Sequence, residues 1–279
     1  AKVLDGAVTQ AKTTGVGAGK NAIINGGMQV FQRNNGTVTG IGGSAGYFCQ
    51  DRWKLYSSGT DGRISMGVSA DRPDGFRYSM KLACTTADTS IAANESMQLQ
   101  QLIEAQNLMH FKKGTSSALP FAVSFYVKGN AAATYVAELE DYDNGSRHVG
   151  KTFNVTTSWT RVSLILPADT TGVLGNDSNT GLALNIHLHS GSSNTSGTGP
   201  RETWGTLSQT VRVGSGKTSF LDSTSRTLYI TGVKLEPTQV TDFDHRPFAE
   251  ELRLCQRYFS KSAAYSISPD HNTDGETVV

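Results

Sequence analysis

His187 and His189 lie two residues apart in "GLALNIHLHS" (181–190), opposite a face that carries Leu182, Leu184, Ile186 and Leu188. Two imidazoles at that spacing can ligate zinc. A zinc site also needs a third ligand, and the sequence names none. The pair therefore reads as solvent-face histidines, and no metal is assigned. Glu138 and Glu140 share a face in "ATYVAELEDY" (133–142). Paired carboxylates can cleave glycosides, but charged strand faces offer such pairs routinely, so no catalytic residue is assigned. "DYDNG" (141–145) begins like a calcium loop and lacks the later oxygens; its Asn144-Gly145 is a hairpin signal instead. "GSGKT" (214–218) has Val211 where a phosphate loop needs its first glycine, and "GAGKN" (17–21) lacks Ser or Thr after Lys20.

The elements that would carry these residues are strands. "LPFAVSFYVKG" (119–129) places Phe121, Val123, Phe125 and Val127 on one face. "RHVGKTFNV" (147–155) follows the Asn-Gly turn, and "WTRVSLILPA" (159–168) alternates. Further strands are expected in "MQVFQR" (28–33), "DRWKLYS" (51–57), "GRISMGV" (62–68), "FRYSMKLA" (76–83), "QTVRV" (209–213) and "RTLYITGVKLE" (226–236). Residues 95–111 read as a strand to about Glu104 and then one helical turn. Residues 190–200, "SGSSNTSGTGP", read as a flexible loop. About ten strands with frequent turns and no βαβ rhythm predict an all-β antiparallel sandwich, or jelly roll.

One helix interrupts this pattern. From Pro247, apolar residues recur at Phe248, Leu252, Cys255 and Phe259. Pro247 suits a first helical turn, and the helix is expected to cap an edge or end of the sandwich. Trp53 and Trp159 are expected in the core. Trp204, in "PRETWGT" beside the Gly/Ser loop, is the candidate for an exposed ring on which a sugar can stack.

Composition sets the outer limits. The chain has 279 residues, 37% of them hydrophobic, with 30 glycines. That suits short strands joined by polar loops. The formal net charge of +1 argues against a nucleic-acid partner, which would require a basic field. Cys49, Cys84 and Cys255 are an odd, widely spaced set and read as buried thiols. No run of eighteen apolar residues is present, so no membrane insertion is expected. Residues 1–20 carry a thin apolar stripe at Val3, Leu4, Ala7, Val8 and Ala11, which gains burial only by self-association.

Three stretches carry a resemblance. "NAIINGGMQVFQR" followed by "YFCQDRWKL", then "SWTRVSLILP", and finally "GVKLEPTQVTDFDHRPFAEELRLCQRYF" resemble the sandwich domain of bacteriophage tail-fibre and receptor-binding proteins. "LDGAVTQAKTTGVG" looks like fibre-shaft repeats. The resemblance implies a carbohydrate-binding-module-like jelly roll, a homotrimer, a place in the virion after synthesis in the host cytoplasm, and contact with other phage tail proteins and a host-surface glycan. It implies no cofactor and transfers no site residue. The expected organisation is a shaft segment at 1–20, a jelly roll at 21–260 ending in the helix, and a tail or linker at 261–279. Trp204, His187, His189 and Tyr142 are the candidate glycan contacts. A fibre connector that binds no receptor is the alternative, with a glycan-cleaving enzyme behind it.

Overall fold

The computed structural model describes residues 21–261. Thirteen strands, numbered in chain order, form two sheets. The six-stranded sheet runs β1 (Thr37–Ile41), β4 (Arg63–Ser69), β5 (Ser79–Thr86), β13 (Thr227–Pro237), β7 (Phe121–Gly129) and β10 (Thr160–Leu166). The seven-stranded sheet runs β12 (Gly205–Thr206), β9 (Arg147–Val155), β8 (Ala133–Asp141), β11 (Thr180–Ser190), β6 (Ser96–Glu104), β3 (Lys54–Ser58) and β2 (Gly46–Tyr47). Every pairing is antiparallel. The architecture is the expected all-β antiparallel sandwich, with a helix near the C-terminal end, α2 (Phe248–Gln256).

Alternation builds the core. Phe121, Val123, Phe125 and Val127 of β7 are fully buried, as are Leu182, Leu184 and Leu188 of β11. Phe125 meets Phe153 of β9 edge-to-face with ring centroids 5.0 Å apart. Asn144-Gly145 lies in the β8–β9 turn, where Gly145 takes φ +63°. β13 bulges between Thr231 and Lys234, with Gly232 at φ +64°. The strand over Ser96–Glu104 is followed by a 3-10 helix over Ala105–Phe111, longer than the single turn expected. The three cysteines are buried free thiols.

Four expectations are corrected. Residues 28–33 form no strand. The Asn25 amide stands in for a neighbouring strand: its Nδ2 donates to Val30 O at 2.7 Å and its Oδ1 accepts from Val30 N at 3.0 Å. "QTVRV" is a 3-10 turn over Gln209–Val211 leading into a loop. Trp159 is half-buried on the outer face, where its Nε1 donates to Asp71 Oδ1 at 3.0 Å, whereas Trp53 is fully buried as expected. Residues 190–200 contain a helical turn, α1 (Ser192–Thr195), bonded to the loop between β5 and β6 through Ser193 N and Ala93 O at 2.9 Å.

The terminal helix packs on residues 24–30, which lead into the sandwich. Cys255 packs with Ile24 and Val30, while Phe248 stays half-exposed. Pro247 is the N-cap residue. Buried Glu251 accepts from Asn25 N and from Arg246 Nη1, the latter at 3.2 Å, which ties the helix start to the beginning of the sandwich. Among the described residues, no helix is long and apolar enough to cross a membrane.

Candidate functional site

Two rows of polar side chains cross the outer face of the seven-stranded sheet. Antiparallel register places Lys54, Gln100, Asn185 and Glu138 in one row, and Tyr56, Gln98 and His187 in the next. In an open antiparallel sheet such a face is wetted. Here residues 191–217 fold over part of it, and the sequence alternation gives no sign of that cover. Glu138, Asn185 and His187 are consequently buried. The reading of His187 and His189 as solvent-face histidines is corrected: both point away from the core, and both are covered.

Glu138 is the hub. Its carboxylate accepts from His148 Nδ1 at 2.9 Å, His187 Nε2 at 3.0 Å and Asn185 Nδ2 at 3.1 Å. Arg212 Nε donates to Glu138 Oε1 at 3.0 Å, and Arg212 Nη2 reaches both Glu138 Oε2 and Glu140 Oε2. Burial works to raise the Glu138 carboxyl, but the Arg212 charge, with His187 and His148, outweighs it and holds the group well below the ordinary carboxylate range. An ionised carboxylate with every lone pair engaged has no proton to give. Glu138 is thus placed as a structural anion, not as the acid of a glycosidase pair.

Glu140 is engaged on one side only. Its Oε2 accepts from Asn185 Nδ2 at 3.0 Å and from Arg212, and among the described residues its Oε1 has no hydrogen-bond partner. Beside it lies a groove of about 350 Å³, within the range of small-molecule sites. Gln98, Gln100, Glu140 and His187 of the sheet line it, together with Asn194 and Arg212 from the covering segment. Tyr56 and Tyr142 border it and are 37% and 47% exposed. The groove therefore offers amides, a carboxylate oxygen, a guanidinium and two aromatic faces. Such a set suits a ligand rich in hydroxyl groups and carrying apolar ring faces.

The four candidate residues do not converge. Tyr142 and His187 line this groove. His189 lies further along β11, where its Nε2 bonds Glu95 Oε2 at 3.0 Å and its Nδ1 bonds Ser219 Oγ at 2.8 Å. Trp204 is half-buried rather than exposed. Its ring meets Phe121 edge-to-face at 5.6 Å, and its Nε1 donates to Pro167 O at 2.8 Å. Sequence reasoning missed Tyr56, Gln98, Gln100 and Arg212. Their one sequence signal is the alternation that sends Tyr56, Gln98 and Gln100 outward; Arg212 comes from a loop that periodicity does not describe. The sequence also carries a Gly-x-Ser-x-Gly pattern at Gly42–Gly46. It sits between strands β1 and β2 with Ser44 exposed, without the strand-to-helix turn that makes such a serine a nucleophile.

No protein-family model matches the chain, and no curated protein matches it in sequence. Among solved structures, a CBM4 module is similar at 13% identity and TM-score 0.39, over 67% of this chain and 88% of that one. A family 11 carbohydrate-binding module from Clostridium thermocellum, in complex with a β-1,3-1,4-mixed-linked tetrasaccharide, is similar at 10% identity and TM-score 0.35, over 75% and 99%. The enzymatically active domain of tailspike protein 4 of bacteriophage CBA120 is similar at 14% identity and TM-score 0.38, over 78% of this chain and 21% of that one.

Proposed function

We propose that this chain is a tail-fibre component of a phage virion whose sandwich binds a host-surface glycan in the groove bordered by Tyr56 and Tyr142. The observation that carries this reading is the groove's chemistry: two exposed tyrosines around amides and the unpartnered Glu140 Oε1. Sugars present hydroxyls to such acceptors and donors, and C–H faces to such rings. The tail-fibre identity is supported by the resemblance at both ends of the sandwich. The proposed organisation is a self-associating segment at 1–20, the sandwich at 21–260 and a tail or linker at 261–279. A homotrimer would present three grooves, and avidity would strengthen individually weak contacts.

The test is a glycan array with a whole-cell adsorption assay on the purified chain, beside Tyr142→Ala and Trp204→Ala. Saturable binding that is lost in Tyr142→Ala and kept in Trp204→Ala is the expected result. Loss in Trp204→Ala alone would move the site away from the groove. Absence of binding to every glycan and cell, from a folded chain, would favour the connector reading, in which the sandwich joins fibre parts without touching a receptor.

A further inference from the structure

We infer that Asp88, Glu95 and His189 form a binding site for a divalent transition-metal cation, with zinc the best-fitting ion. One potential ligand atom from each lies within 4.8 Å of the others. Two of the three residues, Asp88 and Glu95, come from the loop that joins β5 to β6, and the third, His189, from the end of β11. They are 6%, 4% and 2% exposed.

Charge supplies the second, independent observation. Ten carboxylate residues are buried among the described residues. Glu104, Glu138, Glu140, Asp141, Asp169, Glu236 and Glu251 each pair with a Lys or Arg. Asp88 has no ion pair with any described residue, and the only one Glu95 makes is with His189. Asp51 aside, these two are the buried carboxylates without a Lys or Arg counter-ion, and they face the same imidazole. Asp88 Oδ2 accepts from Thr60 Oγ1 at 2.7 Å, Asp61 N at 3.0 Å and Gly62 N at 3.3 Å, and Glu95 Oε1 accepts from Ala92 N at 2.8 Å, whereas Asp88 Oδ1 has no hydrogen-bond partner among the described residues. Lys217 lines the small cavity beside His189, but its Nζ is directed at the carbonyls of Ser215 and Gly199, at 3.1 and 3.4 Å. The hydrogen bonds that Asp88 and Glu95 accept from Thr60 and the backbone come from neutral groups and leave both buried charges without a Lys or Arg partner, a role that a bound cation would fill.

The donor set selects the ion. One imidazole nitrogen and two carboxylate oxygens suit zinc or manganese, while calcium prefers six to eight oxygens. The His189 ring is already oriented: Ser219 Oγ lies 2.8 Å from Nδ1, which leaves Nε2 facing the carboxylates. Three protein ligands leave a fourth position of a tetrahedral zinc for water. A metal here would clamp the 87–95 loop, whose Asn94 lines the groove, to β11.

The test uses the full chain stripped with chelator and titrated with Zn2+ by calorimetry and with Co2+ by visible absorption. One ion per chain is expected, with a rise in unfolding temperature and a tetrahedral Co2+ band. His189→Gln, Asp88→Asn and the near-isosteric Glu95→Gln should each weaken Zn2+ binding about tenfold or more, while His110→Gln, on the exposed 3-10 helix residue, should leave it unchanged. Glu95→Gln keeps the side-chain shape and serves if the other variants do not fold. No saturable Zn2+ binding, or binding that survives both His189→Gln and Glu95→Gln, would overturn the assignment. Stabilisation by Ca2+ and not by Zn2+ would overturn the choice of ion.

Discussion

At the scale of single residues, Arg212 decides whether the outer-face network is tolerable. It forks between Glu138 and Glu140, and Glu138 is fully buried. Removing one partner of a buried charge pair strands the other, at a cost of about 3–5 kcal/mol. Arg212→Ala is therefore expected to lower the urea midpoint by a corresponding amount. Arg212→Lys should recover only part of the loss, because a single ammonium cannot reproduce the planar fork. An unchanged midpoint in Arg212→Ala would refute this account. A surface pair provides the contrast. Lys128 bonds Asp71, whose side chain is 41% exposed. Solvent screens such a pair, so Asp71→Asn should shift stability by no more than about 1 kcal/mol. The same urea titrations, run on both variants, compare the two cases directly.

At the scale of elements, the cover over the polar face depends on close backbone approach. Gly191 N donates to Glu95 O at 2.8 Å, and a Cβ on Gly191 would lie 2.0 Å from Ala92 O. Backbone cannot yield that much, so Gly191→Ala should push the 91–95 loop off β11. The expected readout is increased amide exchange at Ala93–Glu95 and Ser193, together with a lowered unfolding midpoint; exchange identical to wild type would show the packing to be looser than the geometry implies. This cover also explains which parts of the molecule were legible in the sequence. Strands such as β7 and β11 were, because alternating side chains record a two-sided environment. The segment at 28–33 misled, because alternation does not say whether a strand or an Asn25 side chain takes up the backbone hydrogen bonds. Trp159 misled in the same way: alternation assigned it a face, but the outer face has aromatic company of its own in Tyr229. Tyr142 and His187 were legible as candidates, each near a turn or on a polar face. Arg212 was not, since its role arises from a loop closing over strands far away in sequence. Glu138 was legible as a carboxylate, while its saturation by four other side chains was not.

At the scale of the whole molecule, buried carboxylates couple the fold to pH. Burial works to raise the carboxyls of Glu138, Asp169 and Glu104. Their partners outweigh it: Arg212 at Glu138, Arg147 at Asp169, and Gln106 and Tyr258 with Arg257 at Glu104. All three are held below their ordinary values. A depressed folded-state pKa means that the unfolded chain binds protons first as pH falls. Their contribution is therefore complete above the unfolded carboxylate range, about pH 4.5, and is lost as pH drops through the lower folded-state values. Asp51 acts in the opposite direction, because burial raises its carboxyl and its contribution fades as pH rises through that raised value. The depressed carboxyls outnumber the raised one, which gives a net loss of stability in acid. Urea unfolding measured from pH 7 to about pH 3 should show a plateau and then a decline beginning below roughly pH 5. Arg212→Ala should start from a lower plateau and decline less steeply, because Glu138 then loses the charge that kept it ionised. A wild-type curve flat to pH 3, or an equally steep decline in Arg212→Ala, would mean that the Glu138 hub does not govern the acid limb.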